Sequence, residues 1–262
     1  MNRNSERILR ASLEVPPLRG GAHFPCSLMQ GASTRLMDFE NITEKYDAWF
    51  TTPLGGAVDR WEKDVTWKLA QPVPGEKVLD IGTGTANYLI ELAERGLDCT
   101  GLDIGLKMLL RGRKKALEKG IKLKLVTASG EALPFSDGLF DLVLSVTAFE
   151  FFENPVLAVQ EMTRVCRPGG RIVVSVLNKW SIWAARRRVL SWFRDSIFTH
   201  CRFYSYIEMR HLFGSAAWTT SVFAPPGIPD WLIPYFSKLE PLLRKWAKPF
   251  GAYLVICKRQ KP

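Results

Sequence analysis

The part of the sequence best suited to bind a ligand is a glycine-rich turn that follows a short apolar run. Residues 78–88 read VLDIGTGTANY, in which Asp80 stands just before Gly82 and Gly84. Glycine lets the backbone turn tightly and come close to a ligand, and the first amides of a following helix point toward such a turn. A buried strand, an acidic residue and a glycine turn together predict a site for a nucleoside-containing cofactor.

This segment departs from the dinucleotide-binding pattern. That pattern has a third glycine three residues after the second, and Asn87 occupies the position. An acid-x-Gly-x-Gly pattern remains, and Asp103 follows 21 residues after Gly82, where a second strand should end. A carboxylate at this point can accept two hydrogen bonds from a ribose diol, although a buried aspartate at any strand end would also fit.

Two further segments complete a series of motifs. They read VTASGEALPFSDGLFDLVLS at residues 126–145 and RVCRPGGRIVVSVLN at residues 164–178. With these motifs, and over about residues 40–215, the sequence resembles the class I S-adenosylmethionine-dependent methyltransferases of the type 11 methyltransferase-domain group. It is similar to the quinone-biosynthesis C-methyltransferases. The motifs are specific for the cofactor and the fold, and they say little about the substrate.

The resemblance implies S-adenosylmethionine as the cofactor and no metal. It implies that Asp80 faces the methionine ammonium group and that Asp103 holds the ribose hydroxyls. It also implies that Ile104 and Met108 lie against the adenine, which Ser129, Gly130 and Glu131 contact as well. Ala86 stands where the family has its third glycine, and Ser129 stands where many relatives have an aspartate. The cofactor-binding residues that the resemblance implies are Tyr46, Asp80, Gly82, Thr83, Gly84, Asp103, Ile104, Met108, Ser129, Gly130, Glu131 and Ser145.

The acceptor side of the site should follow the fourth strand. Glu150 and His200 are the candidate bases, and a thiolate, amine or activated carbon acceptor would need none. Phe149 has two interpretations, one as a substrate contact and one as a packed core residue. Upstream, Tyr46 belongs to a predicted helix and loop that close over the cofactor.

The alternation of apolar runs with helical patterns predicts an α/β fold with a doubly wound, Rossmann-like sheet. In the family this sheet has seven strands in the order 3-2-1-4-5-7-6, with the last strand antiparallel. Residues 167–170 predict a turn into the fifth strand, and Ser205 and Glu208 have the spacing of a capping box. The first five strands are predicted at residues 77–82, 98–103, 122–127, 139–146 and 171–177, and helices between them at residues 86–95, 106–119 and 154–165.

Residues 37–262 are predicted to form one methyltransferase domain, because Met37 opens the first family-like segment. Residues 1–36 contain prolines and glycines, have no long apolar stretch, and are predicted to be a flexible extension. Helical insertions at about residues 179–204 and 225–249 should decorate the sheet and form a cap.

The positive charge is concentrated at the C-terminal end of the chain. Residues 37–175 carry 17 basic and 20 acidic side chains, whereas residues 176–262 carry 14 basic and 4 acidic ones. In the first insertion, tryptophans alternate with Arg186, Arg187, Arg188 and Arg194. Such a segment could cap a hydrophobic substrate, bind an anionic headgroup, lie on an anionic membrane, or present a solvated arginine face over ordinary core.

Composition favours a cytoplasmic protein that is at most peripheral to a membrane. Five scattered cysteines without a CxxC pair argue against disulfides and zinc, and no apolar run approaches the roughly 20 residues that span a bilayer. The interpretation is therefore a methyltransferase that acts on a small hydrophobic or amphipathic acceptor.

Two other classes of function remain open from sequence. A nucleic-acid methyltransferase is suggested by the basic C-terminal third, but the sequence after the fourth strand is SVTAFEF, without the Asn-Pro-Pro-aromatic motif of base-amine methylation. The sequence therefore disfavours nucleic acid as a partner. The other alternative is a non-catalytic protein that binds S-adenosylmethionine or associates with a membrane.

Overall fold

A seven-stranded sheet forms the centre of the protein. We describe a computed structural model, which covers residues 46–191 and 201–261. The strand order is β3-β2-β1-β4-β5-β7-β6, as predicted. The strands are β1 (Lys77–Ile81), β2 (Asp98–Asp103), β3 (Lys124–Thr127), β4 (Phe140–Val146), β5 (Cys166–Leu177), β6 (Ala217–Ser221) and β7 (Tyr253–Arg259).

The strands lie close to their predicted positions because their apolar runs are covered on both faces. Val78 and Leu144 pack into one hydrophobic layer, whereas Leu79 and Val143 pack into the other. Such burial on both sides is typical of parallel strands. Strands β1 to β5 pair in parallel, and β7 is antiparallel to both β5 and β6, which confirms the predicted topology.

The fifth strand differs from the prediction at its start. Phe140 pairs with Cys166 and Leu142 pairs with Arg171, so the strand begins five residues before the predicted position and contains a bulge. The glycines of the predicted turn make this irregularity possible, since Gly169 has a φ of 72°. The segment therefore forms an irregular start of β5 and not a turn before it.

Seven α-helices lie between residues 53 and 246 of the described chain. Predicted helices at residues 86–95, 106–119 and 154–165 are confirmed, and so is the capping box of Ser205 and Glu208. The helices are α1 (Pro53–Ala70), α2 (Asn87–Glu94), α3 (Leu106–Glu118), α4 (Pro155–Val165), α5 (Ile182–Ser191), α6 (Tyr206–Phe213) and α7 (Ile233–Trp246). None of these helices is long and apolar enough to cross a membrane.

Helix α1 was not predicted from the sequence. Thr52 caps its N-terminus by accepting a hydrogen bond from the amide of Gly55, and Pro53 occupies its first position. Trp61 and Val65 pack into the same hydrophobic layer as β1. Helix α1 therefore covers one face of the sheet and runs beside the predicted cofactor cleft.

The two insertions contain helices α5 and α7. Helix α7 packs against α1 and β6, and the buried carboxylate of Glu240 accepts hydrogen bonds from the amides of Val222 and Phe223. The described residues do not include residues 1–45 or 192–200, and so the predicted extension at residues 1–36 and the insertion residue Arg194 lie outside them.

Candidate active site

The candidate site lies at the carboxyl ends of β1, β2 and β4. Because these strands are parallel neighbours, Asp80 of β1 lies level with Gly101 of β2 and Leu144 of β4. The ends of these strands, the glycine turn and α1 surround a narrow cavity of about 40 Å³. Its lining residues are Tyr46, Phe50, Glu62, Asp80, Gly82, Thr83, Thr85, Asn87, Tyr88, Val146 and Thr147.

The glycine turn after β1 has the close approach that glycine allows. The amide of Gly82 donates a hydrogen bond of 2.7 Å to the carbonyl oxygen of Leu102. A Cβ atom on Gly82 would lie 2.3 Å from Cβ of Ala148, and Gly82 and Gly84 both have positive φ angles. Side chains at either position would therefore clash or strain the turn.

Ala86 adopts the left-handed backbone conformation that favours glycine. Its φ and ψ angles are 61° and 29°, and it is the N-cap residue of α2. The left-handed region costs a residue with a Cβ roughly 1–2 kcal/mol. The departure at Ala86 therefore preserves the turn geometry and stores strain beside the cavity.

Asp80 is a buried carboxylate with one free oxygen. Its Oδ2 accepts a hydrogen bond of 2.8 Å from the hydroxyl of Thr83, whereas its Oδ1 has no partner among the described residues. Burial, with a smaller contribution from Asp103, raises the pKa of Asp80 to about 7. A ligand that donates hydrogen bonds or carries positive charge would remove the cost of this unpartnered oxygen.

Asp103 ties the glycine turn to the end of β2. Its Oδ2 accepts the amide hydrogen of Gly84 at 2.8 Å, and its Oδ1 accepts that of Gly105 at 2.7 Å. Burial raises the pKa of Asp103, and the two amides oppose that shift. Each carboxylate oxygen has two lone pairs, so both oxygens can still accept a ligand hydroxyl.

The residues predicted to surround adenine lie beyond the ends of β2 and β3. Ile104 is exposed and Met108 is buried. The hydroxyl of Ser129 accepts the amide hydrogen of Glu131 at 3.2 Å. Gly130 is closely packed, because a Cβ atom there would lie 2.8 Å from Cγ2 of Ile81.

Glu131 has a local structural role. Its Oε1 accepts hydrogen bonds from the amides of Glu153 and Asn154, at 2.6 and 3.1 Å. Its side chain therefore holds the loop before α4, and the amide of Glu131 is held in turn by Ser129. The adenine contacts at residues 129–131 stay a prediction.

The end of β4 brings Ser145 and the strained residue Thr147 to the region of the cavity. Ser145 is fully buried, and its hydroxyl has no partner among the described residues. The next two residues, Val146 and Thr147, line the cavity. Thr147 has a φ of 46°, and its amide donates to the carbonyl oxygen and hydroxyl of Ser175. The cofactor contact predicted for Ser145 remains a prediction.

Tyr46 closes the cavity from the helical segment at residues 46–51. Its ring packs edge to face on Phe50, with ring centroids 5.3 Å apart. Burial and nearby carboxylates, Glu62 first and then Asp103, raise the pKa of Tyr46. The segment therefore borders the cavity, and its closure over a cofactor stays a prediction.

Asp47 anchors the closing segment. Its carboxylate accepts hydrogen bonds from Thr85 at 2.7 Å, Arg111 at 2.9 Å and Lys115 at 3.0 Å. Through these bonds the segment is attached to both the glycine turn and α3. No role for Asp47 was predicted from the sequence, because its partners come from distant parts of the chain.

Glu62, which lines the cavity, interacts electrostatically with Glu150 and Arg187. Burial raises the pKa of Glu62 to about 8, an effect that Asp59 and Glu150 increase and Arg187 opposes. Burial likewise raises the pKa of Glu150 to about 7. Arg187 of α5 lies near both carboxyl groups, and burial lowers its pKa.

Glu150 is held at the end of β5. Its Oε1 accepts the amide hydrogen of Leu177 at 2.6 Å, and its Oε2 is buried without a partner among the described residues. The other candidate base, His200, lies outside the described residues. Phe149 is fully buried against Tyr204 and Phe213, so its interpretation as core is confirmed.

A comparison with family models matches the central part of this fold. Residues 79–174, which include β1, β2, β4 and the glycine turn, match the model described as a methyltransferase domain. This segment is a methyltransferase domain. The matched segment includes Asp80, Asp103 and Glu150, whereas Tyr46, Glu62 and Arg187 lie outside the segment.

Curated relatives and solved structures resemble this chain to different extents. A demethylmenaquinone methyltransferase of Corynebacterium kroppenstedtii is 35% identical over 136 residues, which are 52% of this chain and 56% of the relative. The chain thus spans little more than half the length of that relative. The solved structure of a SAM-dependent methyltransferase of Thermotoga maritima, a possible histamine N-methyltransferase, superposes with a TM-score of 0.62 at 20% identity. The superposition covers 87% of this chain and 100% of the Thermotoga maritima chain.

The methyltransferase domain also shares its fold with an enzyme of another activity. The [4+2]-cyclase SpnF superposes with a TM-score of 0.57 at 18% identity, covering 76% of this chain and 79% of its own. At this identity the likeness establishes the fold, and the reaction has to be argued from the site. No group of three or more metal-ligating side chains occurs in the described part of the chain.

Glu62 is a site residue that was not predicted from the sequence. It lies on α1, upstream of the methyltransferase domain, and shares a helix face with Val58 and Thr66, four residues before and after it. Both neighbours are buried. The signal in the sequence was a glutamate between residues that share one helix face and are buried. That signal could be recognised only if residues 53–70 were first predicted to be a helix.

Proposed function

We propose that the chain is an S-adenosylmethionine-dependent methyltransferase that acts on a small hydrophobic acceptor of the quinol class. The observation that carries the proposal is the free Oδ1 of Asp80, a buried carboxylate oxygen at the glycine turn. An α-ammonium group is the kind of donor that would satisfy it. The matching methyltransferase domain and its relatives support the same conclusion.

The residues of the cleft fit the parts of this cofactor. Asp80 would bind the ammonium group, Asp103 would accept hydrogen bonds from the ribose hydroxyls, and Ile104 and Met108 would lie against the adenine. When bound, S-adenosylmethionine supplies an activated methyl group. The positive φ angles of Gly82 and Gly84 allow the backbone to approach such a ligand.

Binding of the cofactor requires the closing segment to move. The cavity has a volume of about 40 Å³, well below the roughly 300 Å³ at which the sites of small ligands begin. Tyr46 and Phe50 on residues 46–51 line it together with Asp80. Outward movement of this segment would admit the cofactor, and its return would exclude water from the reacting groups.

The acceptor class is inferred from the relatives and from the charged groups. The relatives carry the name demethylmenaquinone methyltransferase, and a quinol has ionisable hydroxyl groups on an apolar ring. We propose that Glu62, in its ionised form, accepts the proton that an acceptor hydroxyl loses as its oxygen or ring carbon bonds to the methyl group and the methyl–sulfur bond breaks. A methylated ring carbon would then lose its own proton, and the oxygen would be protonated again. Arg187 would favour the ionised carboxylate and the developing phenolate.

The first insertion contributes to the proposal in two ways. Arg187 is half-buried and interacts electrostatically with Glu62 and Glu150, whereas Arg186 and Arg188 are exposed. We assign Arg187 to acceptor recognition, and Arg186 and Arg188 to peripheral contact with an anionic membrane. A cytoplasmic location, at the membrane surface, would suit a hydrophobic acceptor.

Titration calorimetry followed by turnover assays tests the proposal. We expect heat from S-adenosylmethionine and S-adenosylhomocysteine and none from NADH, and weaker binding by Asp80→Asn. Labelled methyl groups should then pass to a quinol in preference to phenol, thiol and amine acceptors. Binding without transfer to any acceptor would contradict a methyltransferase and favour a non-methylating enzyme or a binding protein with this fold.

A further inference from the structure

Helix α7 presents a row of large apolar side chains to solvent. Trp231, in the turn before the helix, is followed on α7 by Tyr235, Leu239, Leu242 and Trp246. We call these five residues the exposed stripe. The exposed fractions of Trp246, Trp231 and Tyr235 are 76%, 68% and 61%, and those of Leu242 and Leu239 are 53% and 44%.

The spacing of the exposed stripe places it on one side of the helix. Steps of four, three and four residues from position 235 to position 246 keep side chains on the same face. The opposite face is fixed in the protein, since Ile233 and Glu240 are buried and Phe236 packs against the core. The orientation of α7 is therefore set by its core contacts, and the stripe must face outward.

The charges beside the exposed stripe have one sign. Lys238 and Lys245 lie seven residues apart on the same side of the stripe and are exposed. The one acidic residue of α7, Glu240, is buried on the opposite face. Asp230 precedes the stripe at its N-terminal end, and the remainder of the stripe has basic neighbours.

The charges beside the exposed stripe help to decide which of two partners covers it, a second copy of the chain or a lipid surface. A second copy of the chain would bring the same lysines to the interface without carboxylates to pair with them along α7. An anionic lipid surface matches both features, because aromatic and leucine side chains enter the headgroup and acyl boundary while lysines contact lipid phosphates. A contiguous apolar patch of this kind marks an interaction site in a water-soluble protein.

We propose that the exposed stripe and its two lysines form a docking surface for an anionic membrane. The helix lies in the plane of the interface, with the stripe in the lipid and the core-facing side attached to α1 and β6. This surface is separate from the first insertion and its arginines. The proposal does not depend on methyl transfer, and its test contains neither cofactor nor acceptor.

Vesicle flotation with the full chain tests the proposal. The vesicles are phosphatidylcholine alone or phosphatidylcholine mixed with phosphatidylglycerol. We expect binding to the mixed vesicles that weakens as salt rises, because the Debye length falls from about 10 Å at 0.1 M to about 3 Å at 1 M. The triple variant Tyr235→Ser/Leu242→Ser/Trp246→Ser should bind at least about tenfold more weakly.

Matched controls are available on other helices. Leu117, Val156 and Ile207 are exposed to 54%, 53% and 52%, and their triple replacement by Ser should leave vesicle binding unchanged. Lys238→Gln/Lys245→Gln should weaken binding by about fivefold for each lysine. The pair Lys77→Gln/Lys122→Gln, also exposed, should bind like the natural chain within about twofold.

Four outcomes would overturn the proposal. The stripe variant could bind as well as the natural chain, or the natural chain could bind neutral and anionic vesicles equally. Analytical ultracentrifugation could show a dimer that the stripe variant loses, without vesicle binding by the natural chain, which would assign the stripe to a second copy. Binding that occurs only after deletion of residues 1–36 would overturn it too, because the extension and not a membrane would then be the occupant of the stripe in the full chain.

Discussion

The carboxylate of Asp103 accepts the amide hydrogen of Gly84 at 2.8 Å, so the end of β2 holds the glycine turn that follows β1. The residue expected to bind the ribose therefore also shapes the loop expected to bind the methionine part. The two halves of the cofactor site are linked through this bond. Replacement of Asp103 should accordingly affect more than one hydrogen bond to ligand.

Asp103→Ala should weaken S-adenosylhomocysteine binding by at least about 1.5–3 kcal/mol, the range for hydrogen bonds to a charged group. It should also lower the free energy of unfolding by about 1–3 kcal/mol, because the amides of Gly84 and Gly105 lose their acceptor. Calorimetry and urea denaturation measure the two effects. Asp98→Ala, at the exposed start of β2, is the control and should change stability by less than about 1 kcal/mol. Unchanged affinity in Asp103→Ala would remove Asp103 from the ribose site.

Ala86→Gly should raise the free energy of unfolding by about 0.5–1 kcal/mol, since glycine adopts the left-handed conformation of residue 86 without steric cost. Thermal denaturation measures the change. Ala185→Gly, on an exposed position of α5, should have the opposite effect, because glycine in a right-handed helix costs about 1 kcal/mol. If both variants are destabilised equally, Ala86 is not strained.

The sheet and the rim of the site could be predicted from sequence, since apolar runs and strand-end residues such as Asp80 and Asp103 are local signals. The role of Glu62 could not, because it depends on α1 lying against the cleft and on Arg187 approaching from an insertion more than a hundred residues later. The exposed stripe on α7 likewise has the spacing of a buried helix face. Only the burial of Glu240 and Ile233 reveals which side of α7 faces the core.

Glu62 should give the protein a pH-dependent stability. Burial raises the pKa of Glu62 from its ordinary value near 4.5 to about 8 in the folded chain. Between pH 4.5 and about 8, Glu62 keeps its proton in the folded state and has lost it in the unfolded state. The contribution of Glu62 to the free energy of unfolding is therefore complete below pH 4.5 and is lost as the pH rises through about 8. Glu62→Gln should remove that dependence, which urea denaturation at a series of pH values would detect. Glu118→Gln, an exposed glutamate of α3, should leave it intact.

The same variant tests the proposed proton transfer. If ionised Glu62 is the base, turnover by the natural chain should rise with pH up to about 8, and Glu62→Gln should lose this rise together with about 10²–10⁴ of the rate. Glu62→Asp should recover part of it. A rate and pH profile like those of the natural chain would show that Glu62 takes no part in proton transfer.

Arg187 and Arg186 are neighbours in the sequence with different environments, and they form a matched pair. Arg187 lies near Glu62 and Glu150, whereas Arg186 is exposed. Arg187→Gln should leave S-adenosylhomocysteine affinity unchanged and raise the KM for the acceptor by about tenfold or more, because an ionic hydrogen bond contributes about 1.5–3 kcal/mol. Arg187→Gln should also move the rise of rate with pH to higher values, since Glu62 would lose the charge that favours its ionised form. Arg186→Gln should change neither the KM nor the pH profile. Equal acceptor kinetics in both variants would show that Arg187 and α5 have no role in acceptor binding.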